Sequence, residues 1–296
     1  MPRLTPSSVL CAALGACLLL ACGDVSVRKD ISYDDRFGAQ TTLDIYAPPD
    51  TSPRAAVMLV HGGGWREGSK EQLATFARRL AEEGYVAASI NYRLGPEGAY
   101  PRAVQDTRCA FGFLRAHAAE LNVIPERIAL IGHSAGGHLV SLLGVDTDTA
   151  ATAPDCTTGD GGKPAAVIAS AAPQALVDLS WAPDVQKFMG APVDNALANY
   201  EEASPLEHVG AGEPPFLLIH GNMDVYVPFS HATRMRDALR GSGNDVQLMI
   251  LRGGGHVLNP GTSTNSLNWE EYGLDSQEAW LAVTDFLRRT IGPSAP

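Results

Sequence analysis

Between residues 42 and 251 the chain repeats one pattern: a short apolar run, a turn, then apolar residues at helical spacing. The runs are Thr42–Tyr46, Ala55–Val60, Val86–Tyr92, Ile128–Ile131, Ala165–Ala171, Phe216–Ile219 and Val246–Leu251. The later ones are apolar throughout rather than alternating, as strands are when both faces of a parallel sheet are covered. Leu73, Phe76, Ala77, Leu80 and Ala81 fall on one face of a helix that Gly84 ends. Ala232, Met235 and Leu239 repeat that spacing before Gly241, and Ala279, Val283, Phe286 and Leu287 repeat it near the C-terminus. Strands that alternate with helices leave few architectures open. The pattern predicts an α/β chain built on a doubly wound, mostly parallel sheet. Pro125 reads as loop punctuation ahead of the Ile128 strand. The stretch Pro173–Pro205 breaks the alternation and reads as a small cap inserted between strands.

The first 30 residues do not follow this pattern. After Arg3, Val9–Ala21 is a nearly unbroken apolar run of thirteen residues. That is too short to span a bilayer but fits the core of a secretory signal. It closes on Leu19-Leu20-Ala21-Cys22 and the polar Gly23-Asp24, which resembles a bacterial lipobox. The reading is a lipoprotein signal over 1–21, lipidation at Cys22, a linker over 22–30 and one domain over 31–292. The protein is then exported to the cell envelope, touching membrane only through its lipid anchor; plain secretion after cleavage is the alternative. With 22 Lys and Arg against 33 Asp and Glu, the net charge is −11. Such a surface is repelled by phosphate backbones, so nucleic acid is not an expected partner. No zinc or EF-hand spacing occurs, and neither metal nor cofactor is expected. Beyond residue 22 only Cys109 and Cys156 remain. In an oxidising compartment they can pair; the other reading is a buried helical thiol and an unrelated loop thiol, and both stay open.

Four turns carry the chemistry. Gly132-His133-Ser134-Ala135-Gly136 follows the Ile128–Ile131 strand and precedes a helix. A G-x-S-x-G at such a turn presents the serine hydroxyl as a nucleophile, with small residues on both sides permitting a strained backbone. His61-Gly62-Gly63-Gly64-Trp65 follows the Ala55–Val60 strand. Its glycines can bring backbone N–H groups up to a developing oxyanion, each such donor being worth about 3–4 kcal/mol. Lacking the lysine and hydroxyl of a P-loop, it is not read as a phosphate cradle. Asp224 lies at the end of the Phe216–Ile219 strand, 90 residues after Ser134, and His256 lies 32 residues further in Gly253-Gly254-Gly255-His256. Serine, acid, histidine is the chain order of the triad on this kind of scaffold. Of eight histidines, only His256 follows both nucleophile and acid on a last-strand loop. His220 reads as a loop support, and His117, His208 and His231 as surface or packing residues.

Together these segments resemble the α/β-hydrolases of the esterase/lipase group with an HGGGW oxyanion loop. They are most similar to the feruloyl/acetyl-xylan-esterase-like branch, with kinship to hormone-sensitive-lipase-like carboxylesterases. Leu43–Pro48, Ser134–Leu139, Ser204-Pro205-Leu206 and Pro215–Pro228 also fit, so the similarity covers nearly all of residues 31–292. It implies an α/β-hydrolase fold, a Ser134–Asp224–His256 triad, and an oxyanion hole from the N–H groups of Gly63, Gly64 and Ala135. The 146–163 loop around Cys156 and the cap around Trp181 depart from the pattern. The expected activity is hydrolysis of small carboxylic esters through an acyl-enzyme, on short-chain acyl, acetyl-sugar or aryl esters. Trp65 and Trp181 are the expected substrate-binding aromatics, bracketing the elbow with Phe188 and Met189. The rival readings are a kynurenine-formamidase-like amide hydrolase and a non-catalytic hydrolase-like surface module. The second is disfavoured because no triad residue is missing. The sequence says nothing about oligomeric state.

Overall fold

The computed structural model describes residues 24–145, 149–159, 161–256 and 276–293. The segment 1–21 expected as a signal and Cys22 lie outside the described residues. Eight strands form one sheet: β1 (Ser26–Ser32), β2 (Thr42–Ala47), β3 (Arg54–Val60), β4 (Val86–Ile90), β5 (Val123–His133), β6 (Ala166–Ser170), β7 (Phe216–Gly221) and β8 (Val246–Leu251). Their order across the sheet is β1-β2-β4-β3-β5-β6-β7-β8. β2 runs antiparallel to both neighbours, and every other pairing is parallel. Among the described residues eight α-helices accompany them: α1 (Ala74–Glu82), α2 (Arg102–Ala116), α3 (Ala118–Leu121), α4 (Ala135–Gly144), α5 (Pro183–Met189), α6 (Val193–Glu202), α7 (Ser230–Gly241) and α8 (Gln277–Thr290).

The two-residue period of a strand explains the two cores. Ala56, Met58 and Val60 of β3 face one side, where Leu130 of β5, Phe111 of α2, Leu139 of α4 and Met235 of α7 meet them. Val57 and Leu59 face the other, against Leu73, Phe76 and Leu80 from the α1 segment and Val283, Phe286 and Leu287 of α8. Continuous apolar strands and one-sided helices are therefore one requirement seen twice, as the doubly wound reading demands.

Two details differ from the sequence reading. β1 is an additional edge strand whose residues are all exposed or half-buried, so it carries no apolar signature. Pro125 lies inside β5 rather than in a loop, beside a register irregularity where β3 and β5 pair. A missing ladder donor is tolerated at such a place.

A buried cation joins the antiparallel edge to the segment after the glycine loop. Lys70, 1% exposed, places Nζ 2.7 Å from Asp44 of β2, 2.8 Å from Asp30 of β1 and 2.9 Å from Glu71. Cys109 of α2 and Cys156 form a disulfide, with Cα atoms 5.9 Å apart across a sequence separation of 47. The 173–205 stretch runs from β6 towards β7 as a short 3-10 turn followed by α5 and α6. Val185 and Phe188 of α5 and Tyr200 of α6 join the core on the α4 side.

Candidate active site

The four chemical turns all fall at the C-terminal ends of parallel strands, where open α/β sheets place their ligands. β5 ends at His133, and α4 begins at Ala135, leaving Ser134 alone on the bend with φ 53° and ψ −119°. A side chain at such positive φ costs about 1–3 kcal/mol and is kept only where its surroundings hold it. The flanking glycines are what close packing requires. A Cβ on Gly132 would stand 2.2 Å from the Gly136 carbonyl oxygen, and one on Gly136 would stand 2.1 Å from that of Val60. The Ser134 N–H donates to Ser170 O at 2.8 Å, which fixes the bend to β6.

Ser134 Oγ lies 2.9 Å from His256 Nε2, and His256 Nδ1 lies 2.8 Å from Asp224 Oδ2. The three sequence-predicted residues thus stand in one hydrogen-bonded line. Asp224 Oδ1 accepts the N–H groups of Tyr226 and Val227, both at 2.9 Å. Burial opposes ionisation of Asp224, but hydrogen bonds from His220 and His256, the nearby His256 charge and the Val227 N–H outweigh it. The carboxyl is held well below its usual range. This leaves His256 facing a fixed anion on one side and a hydroxyl on the other.

His220 takes a place that sequence reasoning had given it only loosely. Its Nε2 is 3.2 Å from Asp224 Oδ2 and 2.9 Å from Val227 O. One imidazole N–H thus points between the acid and the loop that follows it. The ring is 1% exposed and packs edge-on to Phe229. The signal was its position: a polar residue at the buried end of an apolar strand, four residues before the acid.

Gly63 and Gly64, at φ 115° and 58°, border the same cavity as Ser134. A Cβ on Gly63 would come 2.0 Å from the Glu67 carbonyl oxygen, so this turn requires glycine. His61 anchors the loop from behind. Its Nδ1 donates to Gly62 O at 2.7 Å, its ring stacks on Tyr92, and Tyr92 OH donates to His61 O at 3.0 Å. Ala135 is buried at the first position of α4, beside Ser134.

The cavity over Ser134 has a volume of about 280 Å³. Leu179, Ala182 and Val185 from the inserted stretch wall it, opposite His133, Val227 and Tyr226. Trp65 borders it with only 4% exposure, stacked on Phe188 at 4.5 Å between ring centres. Trp181 does not border it. That side chain is 64% exposed, because Leu179 and Ala182 on either side occupy the inward positions. Of the two expected aromatics, only Trp65 reaches the cavity. His138, one turn into α4, donates from Nε2 to Ala203 O at 2.7 Å and ties the elbow helix to the end of α6.

The described residues offer one group of potential metal ligands, Asp34, Cys109 and Asp155. Cys109 is spent in the disulfide, and Arg36 spans the two carboxylates.

Residues 43–239 match the BD-FAE family. A probable carboxylic ester hydrolase of Mycobacterium tuberculosis, LipM, is 32% identical over 231 residues, covering 73% of this chain and 52% of that protein. The chain spans about half the length of the curated relatives it matches. The structure of Est2, an esterase from Thermogutta terrifontis, superposes with a TM-score of 0.71 at 27% identity, covering 92% of this chain and 94% of that one. Est2 has also been solved with propionate and with butyrate bound. A truncated carbohydrate esterase from gut microbiota superposes with a TM-score of 0.76 at 22% identity, over 90% and 96% of the two chains. That likeness is one of fold.

Proposed function

The chain belongs to the BD-FAE family and has the α/β-hydrolase fold of its esterase neighbours, and on that premise we propose that it is a serine hydrolase of short-chain carboxylic esters. The observation that carries this reading is the line Ser134–His256–Asp224 opening into a small, mostly apolar cavity beside two backbone-only glycines.

In this mechanism His256 Nε2 takes the Ser134 proton as Oγ attacks the ester carbonyl. Asp224 stabilises the imidazolium through Nδ1. The oxyanion is received by the N–H groups of Gly63, Gly64 and Ala135, which the glycine-only turn and the start of α4 set before substrate arrives. Collapse breaks the bond to the leaving alcohol, which takes the proton from His256. Water, activated by the same imidazole, then releases the acid from Ser134. Acetyl-sugar and aryl esters are the substrates to which this chemistry is assigned.

Acyl length follows from room. At about 280 Å³ the cavity sits at the lower edge of the range of about 300–1,000 Å³ usual for small-molecule sites. An extra methylene contributes about 0.8 kcal/mol only where space exists and costs strain where it does not. The propionate and butyrate complexes of Est2 are consistent with such a limit. A p-nitrophenyl ester series tests both parts. Acetyl to butyryl esters are expected to give the highest kcat/KM, and Ser134→Ala to lower kcat by about a thousandfold or more without unfolding the protein. A maximum at ten carbons or beyond makes the enzyme a lipase; full turnover in the alanine variant removes Ser134 from the mechanism.

For the N-terminus we propose a diacylglyceryl anchor on Cys22. No helix among the described residues is long and apolar enough to cross a membrane. A lipid would attach the domain without one. Mass spectrometry of the native N-terminus should find Cys22 carrying lipid; an unlipidated terminus at another residue refutes the anchor.

A further inference from the structure

A second, larger opening lies beside the elbow. A groove of about 790 Å³ shares Gly64 and Trp65 with the Ser134 cavity and extends away from it between the 95–99 turn and α5. Pro96, Pro183 and Pro192 stiffen its walls. Its charged residues are Arg66 and Lys187, and among the described residues no carboxylate lines it. The acids at this end of the molecule, Glu67 and Asp184, line the Ser134 cavity instead. Arg66 stands 3.4 Å from both Asp184 Oδ1 and Glu67 Oε1, so its charge is already paired at the divide between the two spaces. Lys187 has no ion-pair partner among the described residues. In a chain of net charge −11, a lysine without an ion-pair partner, on a groove that no described carboxylate lines, complements an anion.

We propose that this groove is a leaving-group subsite for acylated hydroxy acids, with Lys187 binding the free carboxylate of the alcohol half. The inference rests on the ester-hydrolase reading of Ser134 and adds to it the class of alcohol. Two features carry it: the groove adjoins the cavity, sharing Gly64 and Trp65 with it, and its one charge without an ion-pair partner among the described residues is the positive Lys187. Hydrolysis proceeds as above. The acyl carbon passes from the hydroxy-acid oxygen to Ser134 Oγ, His256 returns the proton to that oxygen, and the released hydroxy acid keeps its carboxylate throughout.

The test compares 4-acetoxybenzoate with neutral 4-acetoxybenzamide, and 4-acetoxycinnamate with its amide, the two pairs differing in reach. The readout is the ratio of kcat/KM, anion over amide, in wild type, Lys187→Glu and Lys187→Arg. At low salt at least one wild-type ratio should exceed one, fall by about two- to fivefold in Lys187→Glu, the scale of an exposed ion pair, and be retained in Lys187→Arg. It should also shrink as salt rises. Ratios of one or less in wild type, or ratios indifferent to both Lys187→Glu and salt, overturn the proposal. If none of the four esters is cleaved, or cleavage survives Ser134→Ala, the serine-hydrolase reading fails instead. Calorimetric titration of 4-hydroxybenzoate and 4-hydroxycinnamate into wild type and Lys187→Glu then decides the subsite alone. Weaker binding to the variant supports it, and equal or absent binding overturns it.

Discussion

His220 shows how much of the site depends on a residue outside the hydrogen-bonded line of Ser134, His256 and Asp224. Its Nε2 reaches both Asp224 and the Val227 carbonyl, so it holds the acid and the turn that supplies the acid's two N–H donors. Leaving such a buried acceptor unmet costs about 1–3 kcal/mol. His220→Leu should therefore lower kcat by about tenfold or more, with KM for a short ester little changed, because the groove and cavity walls are untouched. His220→Gln, whose amide nitrogen can stand near Nε2, should recover most of the loss. A fall in KM and kcat together, or no rescue by glutamine, would make His220 a packing residue only. At this scale the sequence was legible where the backbone itself demands a residue. Ser134 between close-packed glycines and the glycines of the 62–64 turn have few substitutes, and their spacing is visible in one dimension. Trp181 was misplaced for the opposite reason. Which way an aromatic points from a short irregular segment depends on its neighbours, and Leu179 and Ala182 hold the inward positions there.

Between elements, the least legible link was the one joining α2 to the 149–159 segment. Two cysteines 47 residues apart carry no geometric information in the sequence, and only the packing of α2 brings their Cα atoms to 5.9 Å. On the chain-entropy account, closing a loop of that length restricts the unfolded chain by about 4 kcal/mol. A Cys109→Ser/Cys156→Ser double variant should lose stability towards that size, read from urea unfolding of oxidised wild type and variant. Identical midpoints would mean that native contacts alone hold the segment. The strands were easier. The central strands β3, β4, β6 and β7 were readable because both faces are buried and their runs are largely apolar. β8 was readable from its largely apolar run although it is a half-exposed edge, whereas β1 is an exposed edge paired on one side with β2. Val27 and Ile31 pack only partly against the two cores, and beyond its pairing with β2 the β1 strand is held by the ion pair of Asp30 with Lys70. The inserted α5 and α6 lie between these cases. The break in strand–helix rhythm was visible, but not the contacts that set Phe188 on Trp65 or His138 on Ala203.

Across the whole molecule, four buried imidazoles link stability to acid. Burial holds His61, His138 and His231 down to about 4, despite a backbone hydrogen bond that raises each of the first two and an Asp178 charge that raises the third. Burial, then the charge of His256, holds His133 well below its usual value. Eight histidines could be counted in the sequence, but which of them lose their water could not. In the folded state these four stay neutral, while in the unfolded chain they protonate near 6.5. As pH falls from about 6.5 towards 4 the unfolded state therefore binds more protons than the native one, and stability is lost. Each such group contributes up to about 1.4 kcal/mol per pH unit. The depressed Asp224 carboxyl acts lower, its contribution being present above the unfolded carboxylate range and lost as pH falls below it. Between pH 6.5 and 5 the histidines should therefore dominate. Urea unfolding at pH 7, 6 and 5 should show a falling midpoint with little change in slope, and unfolding at pH 5 should take up protons. His138→Asn, which keeps a donor for Ala203 O, should flatten the decline. A midpoint constant from pH 7 to 5 would mean that these rings are hydrated or already protonated in the native state, against the burial that sets their pKa.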